Sequence, residues 1–197
     1  MGEADEKLML SVRDGDVSKL GVLFDRHHRA LFDFFARMTG SRTAAEDLVQ
    51  DVFFRILKYR TTYRHEGSFT TWMFHIARNA RSDYYRKQRN DIPIAPEEMD
   101  LPGTSPFPGR ELEERQQVRL LESALLKLPA EKREVLVLSR YGEMKYEEIA
   151  RLLGCEVGAV KVRVHRALKD LREIFFKLSG EKRLCDVKKS ANALRIT

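Results

Sequence analysis

Residues 68–90, SFTTWMFHIARNARSDYYRKQRN, form a segment whose side chains could hold a partner molecule. The segment opens as an aromatic and apolar run that contains Trp72, the only tryptophan, and it ends as a basic run. Such a segment could lie on a lipid surface, pack against a partner helix or bind unstacked nucleic-acid bases. A lipid surface fits poorly, because the basic residues concentrate at one end rather than along one interfacial face.

The basic residues of the chain form two separated blocks. Residues 55–89 carry nine Lys and Arg against two acids, and residues 161–172 carry five against one, whereas residues 1–53 have an excess of acids. Two basic blocks indicate a polyanion that is contacted at two places. Helix faces that are charged only for solubility are the alternative.

The second basic block lies in a sequence with the spacing of a helix-turn-helix. Ala150 lets two helices cross closely, Gly154 can adopt a positive φ in the turn, and Val160 buries the second helix against the first. The predicted core stripe of that second helix is Val160, Val164, Leu168 and Leu171. Its predicted outward residues are Lys161, Val162, Arg163, His165, Arg166 and Lys169. Arg and Lys can bind guanine edges or phosphates and Val a thymine methyl group, so this face suits a DNA major groove, with a purely structural hairpin as the alternative.

The remaining periodicity is helical, and no convincing strand alternation appears, so an all-α fold is predicted. Leu31, Phe34, Phe35 and Met38 recur at helix spacing, and Gly40 can form the C-terminal cap of that helix. The tetrapeptide TAAE at 43–46 predicts a capping box that starts the next helix. The buried stripe of the next helix is predicted to be Ala45, Leu48, Val49, Val52 and Ile56.

The helix that begins at this capping box has a second face of unusual composition. Asp47, Gln50, Phe54 and Lys58 cluster opposite Val52, with Asp51 at the edge. A large aromatic side chain among polar and acidic groups suggests a docking surface, unless another part of the same domain covers Phe54.

Residues 90–109 differ in composition from both of their neighbours. They hold five of the six prolines, two glycines and four acids, which predicts an extended linker. The chain is therefore predicted to form two small helical domains joined by a flexible linker, the second domain being the helix-turn-helix. The predicted divisions are residues 1–89, a linker at 90–111, a DNA-binding domain at 112–178 and a basic tail at 179–197.

Three segments resemble, in their order along the chain, the motifs of the bacterial extracytoplasmic-function sigma factors, the compact class of RNA polymerase specificity subunits. AAEDLVQDVFFRILK resembles the polymerase-binding helix of the family, and SFTTWMFHIARNARSDYYRK resembles its promoter-opening segment. Residues 128–173 are similar to its C-terminal DNA-binding domain. The resemblance covers roughly residues 18–176.

The resemblance implies roles for particular side chains. It places Asp47, Gln50 and Asp51, beside Phe54, on the face that meets the clamp helices of the polymerase largest subunit. In the promoter-opening segment it implies a pocket for an extruded base beside Asn79. The packed stripe of this segment is predicted to be Phe69, Trp72, Met73, Ile76, Ala77 and Ala80. The polar side is predicted to be His75, Arg78, Asn79, Ser82 and Arg86. The short side-chain amide of Asn79 can pair with a base edge, and the arginines can hold phosphates. Trp72 lies in the same promoter-melting segment, and a position of its ring in the core is favoured over a role as a stacking surface for bases.

The implied function is that of a non-enzymatic initiation factor. Its implied partners are core RNA polymerase, promoter DNA as an upstream duplex and a melted downstream element, and an inhibitory anti-sigma factor. No cofactor, metal or membrane insertion is expected, and the lack of a signal peptide or apolar span predicts a cytoplasmic protein. Cys155 and Cys185 are expected to be ordinary thiols, because no CxxC or Cys/His cluster surrounds them.

Two other function classes are consistent with parts of the sequence. A stand-alone helix-turn-helix regulator would dimerise and bind a duplex operator without polymerase. An enzyme could be imagined around His27, His28, His75 and Asp83, but no nucleophile motif or phosphate-binding loop accompanies these residues.

Overall fold

A computed structural model describes residues 4–64, 67–90, 108–142 and 144–180, and only the backbone of 89–90 and 108–115. Within these ranges the chain forms α-helices, one short 3-10 helix at Arg60–Thr62 and no strand, which confirms the all-α prediction. The α-helices are α1 (Asp5–Arg13), α2 (Lys19–Thr39), α3 (Arg42–Lys58), α4 (Phe69–Asn90), α5 (Pro108–Leu126), α6 (Ala130–Arg140), α7 (Tyr146–Leu153) and α8 (Val157–Ser179).

The predicted linker and tail fall mainly outside the described residues. Helix α4 extends to Asn90, and α5 already begins at Pro108, so five residues of the predicted linker range 90–111 belong to a helix. A proline at the first helical position is favourable, because its missing N–H would have no intrahelical acceptor there. Of the predicted tail 179–197, the structure describes Ser179 at the end of α8 and Gly180, which caps the helix with a φ of 71°.

Helices α2, α3 and α4 pack together around the aromatic core of the N-terminal domain. The predicted stripe on α2 is buried at Leu31, Phe34, Phe35 and Met38. Phe34 contacts Phe35 and Phe74 of α4 edge to face, at centroid distances of 5.2 and 5.4 Å. Gly40 ends α2 in the left-handed conformation, with φ 75°, and its N–H donates to the Ala36 carbonyl, as the sequence predicted. This core fixes the rotation of α3 and α4 and therefore decides which of their side chains face outward.

The start of α3 differs from the predicted capping box at 43–46. The helix begins at Arg42, and Ser41 is its N-cap, whose hydroxyl accepts a hydrogen bond from the Ala44 N–H at 3.2 Å. Ser41 has extended dihedral angles directly after the left-handed Gly40, so the chain turns two residues earlier than TAAE suggested. The buried stripe on α3 is nevertheless the predicted one, from Ala45 to Ile56.

Ser41→Ala is expected to lower the free energy of unfolding by about 1 kcal/mol, because an N-terminal amide of α3 loses its side-chain acceptor. Urea denaturation followed by circular dichroism measures this loss. Ser11→Ala is the matched control, since its hydroxyl donates to the Lys7 carbonyl in the middle of a helix and caps no free amide. Equal, near-zero losses for both variants would contradict the assignment of Ser41 as the cap.

Helix α1 anchors the first turn of α4. A Glu6 carboxylate oxygen accepts a hydrogen bond from the Phe69 N–H at 3.1 Å, which places an acid at the positive end of the α4 dipole. Asp5 pairs with Arg26 and His27 of α2 at 2.5 and 2.7 Å. Leu8, Met9 and Val12 are buried beneath these contacts. Helix α1 thus connects α2 with α4 and holds the N-terminus of α4 in place.

In the C-terminal domain, α7 and α8 form the predicted helix-turn-helix. Ala150 and Val160 are buried, and Gly154 has a φ of 62° in the turn. The predicted core stripe of α8 is wrong at Leu168, which is 38% exposed, while Ala167 is fully buried. The contact with the rest of the domain continues from Val164 to the residue three positions on, so Leu168 is rotated to the edge of the interface.

The two domains pack against each other. Helix α2 contacts α5 and α6, and α4 contacts α7. A Cβ atom added to Gly142 would lie 3.2 Å from the Phe74 ring and 2.9 Å from the Leu138 carbonyl oxygen, so only a residue without a side chain allows this approach. Arg37 of α2 also stacks over the Tyr141 ring, with 3.7 Å from its guanidinium carbon to the ring centroid.

Candidate functional site

The outward face of α3 carries an exposed aromatic ring among polar side chains. Phe54 is 65% exposed, so no part of the described protein covers it, and Asp47 and Gln50 are exposed on the same face. The Asp51 carboxylate is less available to a partner, because it pairs with Arg55 at 2.9 Å. Arg55 pairs in turn with Asp83 of α4 at 2.8 Å and lowers the pKa of that carboxyl. The predicted docking face therefore has a free part, Asp47, Gln50 and Phe54, and a structural edge at Asp51.

A groove of about 380 Å³ lies between α2 and α3 and shares Gln50 with this face. Its lining residues are Phe24, His28, Arg29, Phe32, Asp33, Arg42, Glu46, Val49 and Gln50. Phe24 stacks on the His28 ring, with 5.0 Å between centroids, and remains 39% exposed. Apolar rings beneath charged edges suit an amphipathic side chain of a protein partner better than a nucleic-acid backbone.

Helix α4 presents a continuous polar side along its outer surface. His75, Asn79, Ser82 and Arg86 are all exposed and follow one another at helical spacing. Partial desolvation of the ring, followed by the nearby Arg78 cation, lowers the pKa of His75. The imidazole is therefore neutral at pH 7 and offers one hydrogen-bond donor and one acceptor, as Asn79 does with its amide. These groups match the edge of a base better than they match a phosphate.

Two residues of the predicted melting segment do not belong to the exposed polar side of α4. Trp72 packs against Tyr63 and Phe69, with centroid distances of 5.0 and 6.2 Å, and belongs to the partly buried shell of the core. Arg78 is half-buried and points toward the C-terminal domain, where it contacts the Glu134 carboxylate and the Leu152 carbonyl. The exposed polar side of α4 therefore consists of four of the five residues predicted for it.

The outward face of α8 is basic and open. Lys161, Val162, Arg163, His165, Arg166 and Lys169 are all exposed, and Val162 is 47% exposed. Asp170, the acid within this block, pairs with Lys132 of α6, which fixes α8 on α6 and neutralises the carboxylate. The face that remains is the one the sequence predicted, with cationic groups surrounding one small apolar side chain.

Three charged residues at the contact between the domains were not predicted. Arg81 and Glu134 form an ion pair at 2.9 Å, and Arg133 donates to the Met38 carbonyl at 2.9 Å. Burial lowers the pKa of Arg133. The sequence signal for these residues was weak but present: positions 135–138 are all apolar, so that part of the helix is surrounded on every side, and Glu134 directly precedes it.

The residues of the imagined catalytic cluster have separate partners. His27 pairs with Asp5, His28 bonds to the Phe24 carbonyl, and Asp83 binds Arg55. In the part of the chain that the structure describes, His, Cys, Asp and Glu form no group of three that could hold a metal ion. Across the same ranges, no helix combines the length and apolar character needed to cross a membrane.

Comparison with protein families matches both domains. Residues 23–90 match Sigma-70 region 2, and residues 119–171 match Sigma-70, region 4. The chain is 34% identical to the RNA polymerase sigma factor CarQ of Myxococcus xanthus over 170 residues, which cover 86% of this chain and 96% of CarQ. It is 32% identical to the ECF RNA polymerase sigma factor SigE of Mycolicibacterium smegmatis, covering 81% of this chain and 62% of SigE.

Solved structures with the same architecture agree with these matches. CnrH in complex with the cytosolic domain of CnrY aligns with a TM-score of 0.66 and 29% identity, over 87% of this chain and 97% of CnrH. The sigma factor RpoE in complex with the anti-sigma factor NepR from Bartonella quintana aligns with a TM-score of 0.64 and 25% identity, over 78% of this chain and 94% of RpoE. The chain thus carries both sigma regions in order, and it belongs to the RNA polymerase sigma factors of the extracytoplasmic-function class.

Proposed function

We propose that the exposed face of α3 docks this sigma factor on core RNA polymerase. Helix α8 contacts an upstream promoter element as duplex, and the polar side of α4 holds a downstream element as it melts. In this assignment Asp47, Gln50 and Phe54 bind polymerase, with Asp51 at the edge. Asn79 and His75 contact an unpaired base, and Arg86 contacts phosphate.

The observation that carries this proposal is the separation of three exposed faces with different chemistry on one chain. The α3 face is acidic and aromatic, which suits a basic protein surface with an apolar pocket. The α8 face is cationic, which suits duplex DNA, and the α4 side carries base-edge hydrogen-bonding groups. A stand-alone helix-turn-helix regulator is not favoured, because it would have no use for a region 2 domain with an exposed docking face.

A protein inhibitor is the further partner that we propose. CnrH and RpoE are similar to this chain and were solved with the cytosolic domain of CnrY and with the anti-sigma factor NepR, respectively. The groove between α2 and α3 shares Gln50 with the polymerase-binding face. A protein seated in this groove would therefore compete with polymerase by overlap. The proposed inhibitor presents an amphipathic segment with an apolar anchor residue.

The proposed role is non-enzymatic and needs no cofactor, because RNA synthesis is the chemistry of polymerase. The chain contributes binding energy and base selection. Its proposed place of action is the cytoplasm, with polymerase and the chromosome.

Arg166→Ala should weaken promoter recognition at a single base position by about 1–3 kcal/mol, because a guanidinium that binds a base edge loses its hydrogen bonds there. The measurement is holoenzyme affinity for a set of promoter variants that differ at one upstream position at a time. Wild-type protein should discriminate at one position where Arg166→Ala does not.

Lys169→Ala is the comparison variant for this series. A phosphate contact should weaken all sequences alike and reduce the salt dependence of binding by about one unit of slope. If Arg166→Ala gives this uniform pattern, Arg166 contacts the backbone. If neither variant changes binding, the outward face of α8 is not the recognition surface.

A further inference from the structure

Helix α5 carries an apolar stripe that is buried at one end and exposed at the other. Val118, Leu121 and Leu125 recur at intervals of three and four residues, so they lie along one side of the helix. Leu125 is 7% exposed, whereas Leu121 is 41% and Val118 is 49% exposed. Within the described residues, the core of the C-terminal domain therefore covers only the last part of this stripe.

The second half of α8 carries a similar stripe. The buried residues of this helix all precede Asp170, and they are Val160, Val164 and Ala167. Beyond Asp170 the apolar residues continue at helical spacing but are only partly buried, and they are Leu171, Ile174, Phe175 and Leu178. The apolar cover of α8 is therefore incomplete toward its C-terminal end.

The two half-covered stripes lie on neighbouring helices. Lys132, in the first turn of α6, pairs with Asp170, and the buried residues of α8 all lie on one side of that pair. Helix α6 therefore runs back along the first half of α8, where α7 packs as well. Helix α5 also contacts α8 and is the neighbour of its second half. An apolar surface is thus left between α5 and the end of α8.

The chain that follows α8 has a matching apolar pattern. Gly180, the last residue that the structure describes, has a φ of 71°, a left-handed conformation that ends a helix and lets the chain turn back. In residues 181–197, apolar side chains recur at intervals of three and four residues, at Leu184, Val187, Ala191 and Leu194. On a helix these four positions fall within an arc of about 80°, so the spacing predicts an amphipathic helix.

The length of this segment suits the surface beside it. A helix over 184–195 has a length of about 18 Å, and the second half of α8, residues 171–179, has a length of about 14 Å. Residues 181–183 then form the connection, which falls within the roughly two to five residues that join antiparallel helix pairs. A segment attached at the edge of a surface also has a high effective concentration there.

We propose that residues 184–195 form a helix that folds back antiparallel to α8 and covers the exposed apolar stripes of α5 and α8. The match to Sigma-70, region 4 ends at residue 171, so this fifth helix is an addition to the matched domain. It anchors the end of α8, the helix with the exposed basic face, on α5. A helix this short is marginal alone in water, so it forms only against the domain.

The full chain with Val187→Asp and Leu194→Asp tests this proposal. Both substitutions place a carboxylate in the apolar stripe, so the added helix should detach from the domain. Hydrogen–deuterium exchange with mass spectrometry measures the amides of 118–126 and of 184–195. Both groups should exchange at least about tenfold faster in the variant than in the wild type, because local opening becomes easier.

The variant Asn192→Asp with Ala193→Asp is the matched control. It adds the same two charges to the same segment, but both positions lie at least about 120° from the centre of the stripe. Its amides should exchange within about twofold of the wild-type rate, since exposed substitutions cost little.

Leu121→Asp tests the same contact from the side of α5. Leu121 is exposed in the described part of the domain, so the variant should keep its fold, as circular dichroism would show. The amides of 184–195 should nevertheless exchange at least about tenfold faster, and adding Val187→Asp and Leu194→Asp should cause no further increase, because the two sites lose one shared contact.

The proposal is overturned if the amides of 184–195 exchange in the wild type as fast as those of an unstructured peptide. Equal rates in the stripe variant and its matched control would overturn it as well. Protection of 118–126 that rises with protein concentration would assign the surface to a second copy of the chain. Protection that appears only after core polymerase is added would assign it to polymerase, and either result would replace the proposed helix as the occupant.

Discussion

Replacing Asp47 by Arg and Phe54 by Ala in one variant should abolish holoenzyme formation, with a loss of affinity of at least about 100-fold. Phe54 is the large exposed ring on α3, and aromatic anchors of this kind often contribute 2 kcal/mol or more to an interface. Asp47→Arg adds a repulsive charge toward a basic partner surface. The measurement is co-purification with core polymerase, followed by a competition titration against a labelled sigma factor.

Asp51 is left unchanged in this variant because its side chain has a structural partner. It pairs with Arg55, and Arg55 connects α3 to α4 through Asp83. Asp51→Arg would place two guanidinium groups together and disturb both helices, so a loss of binding would be ambiguous. Asp25→Arg, a charge reversal on the exposed surface of α2, is the control and should leave affinity within about twofold. Wild-type affinity of the folded double variant would remove the α3 face from the interface.

The variant Asn79→Ala with His75→Ala should strongly impair transcription from a fully paired promoter and have much less effect on a template whose downstream element is already mismatched. Extrusion of a base costs a few kcal/mol in lost stacking and pairing. A pocket that holds the extruded base offsets this cost only where the duplex must be opened. We expect a loss of about 10- to 100-fold on the paired template and less than about threefold on the mismatched one. Single-round transcription on both templates measures the ratio.

Arg86→Ala is the control for this second prediction. Arg86 is exposed and makes a surface pair with Asp83, so its removal should cost little stability. If it contacts phosphate, its loss should weaken both templates alike and more strongly at high salt. Equal defects of the Asn79 and His75 variant on paired and mismatched templates would assign the polar side of α4 to general binding rather than to opening.

The helices and their buried faces could be predicted from sequence wherever a helical stripe was long and strongly apolar. Phe34 and Val52 are buried as their spacing required. Gly154 has the positive φ that the turn between α7 and α8 demands. Phe54 was predicted to lie opposite a complete buried stripe, and the structure decides between the two alternatives left open, since its ring is exposed and not covered by the described part of the domain. In these cases the burial of a residue depends only on its own helix and on the core that this helix contacts. The helical spacing of apolar residues in the sequence indicates both.

Features that depend on a second element could not be predicted in the same way. Ala167 and Leu168 are adjacent on α8, and only Ala167 is fully buried. The position of the neighbouring helices determines which side of α8 they contact. Arg78 belonged to the polar side by periodicity, but Glu134 from a helix 56 positions later binds it in the structure. The cap of α3 shifted to Ser41 because the preceding glycine turns the chain. Each of these depends on a contact that is distant along the chain or on a backbone angle set by a neighbour.

Transcription from fragmented genomic DNA by core polymerase, with and without this protein, is the most direct test of the sigma-factor role. The sigma-factor role predicts transcripts that start at a few discrete positions, and only when the protein is present. The DNA upstream of these positions should share two short sequence elements. The sigma-factor role also predicts that the Asp47→Arg and Phe54→Ala double variant yields none of these transcripts. Absence of protein-dependent start sites, in a reaction where the protein is bound to core polymerase, would contradict the account.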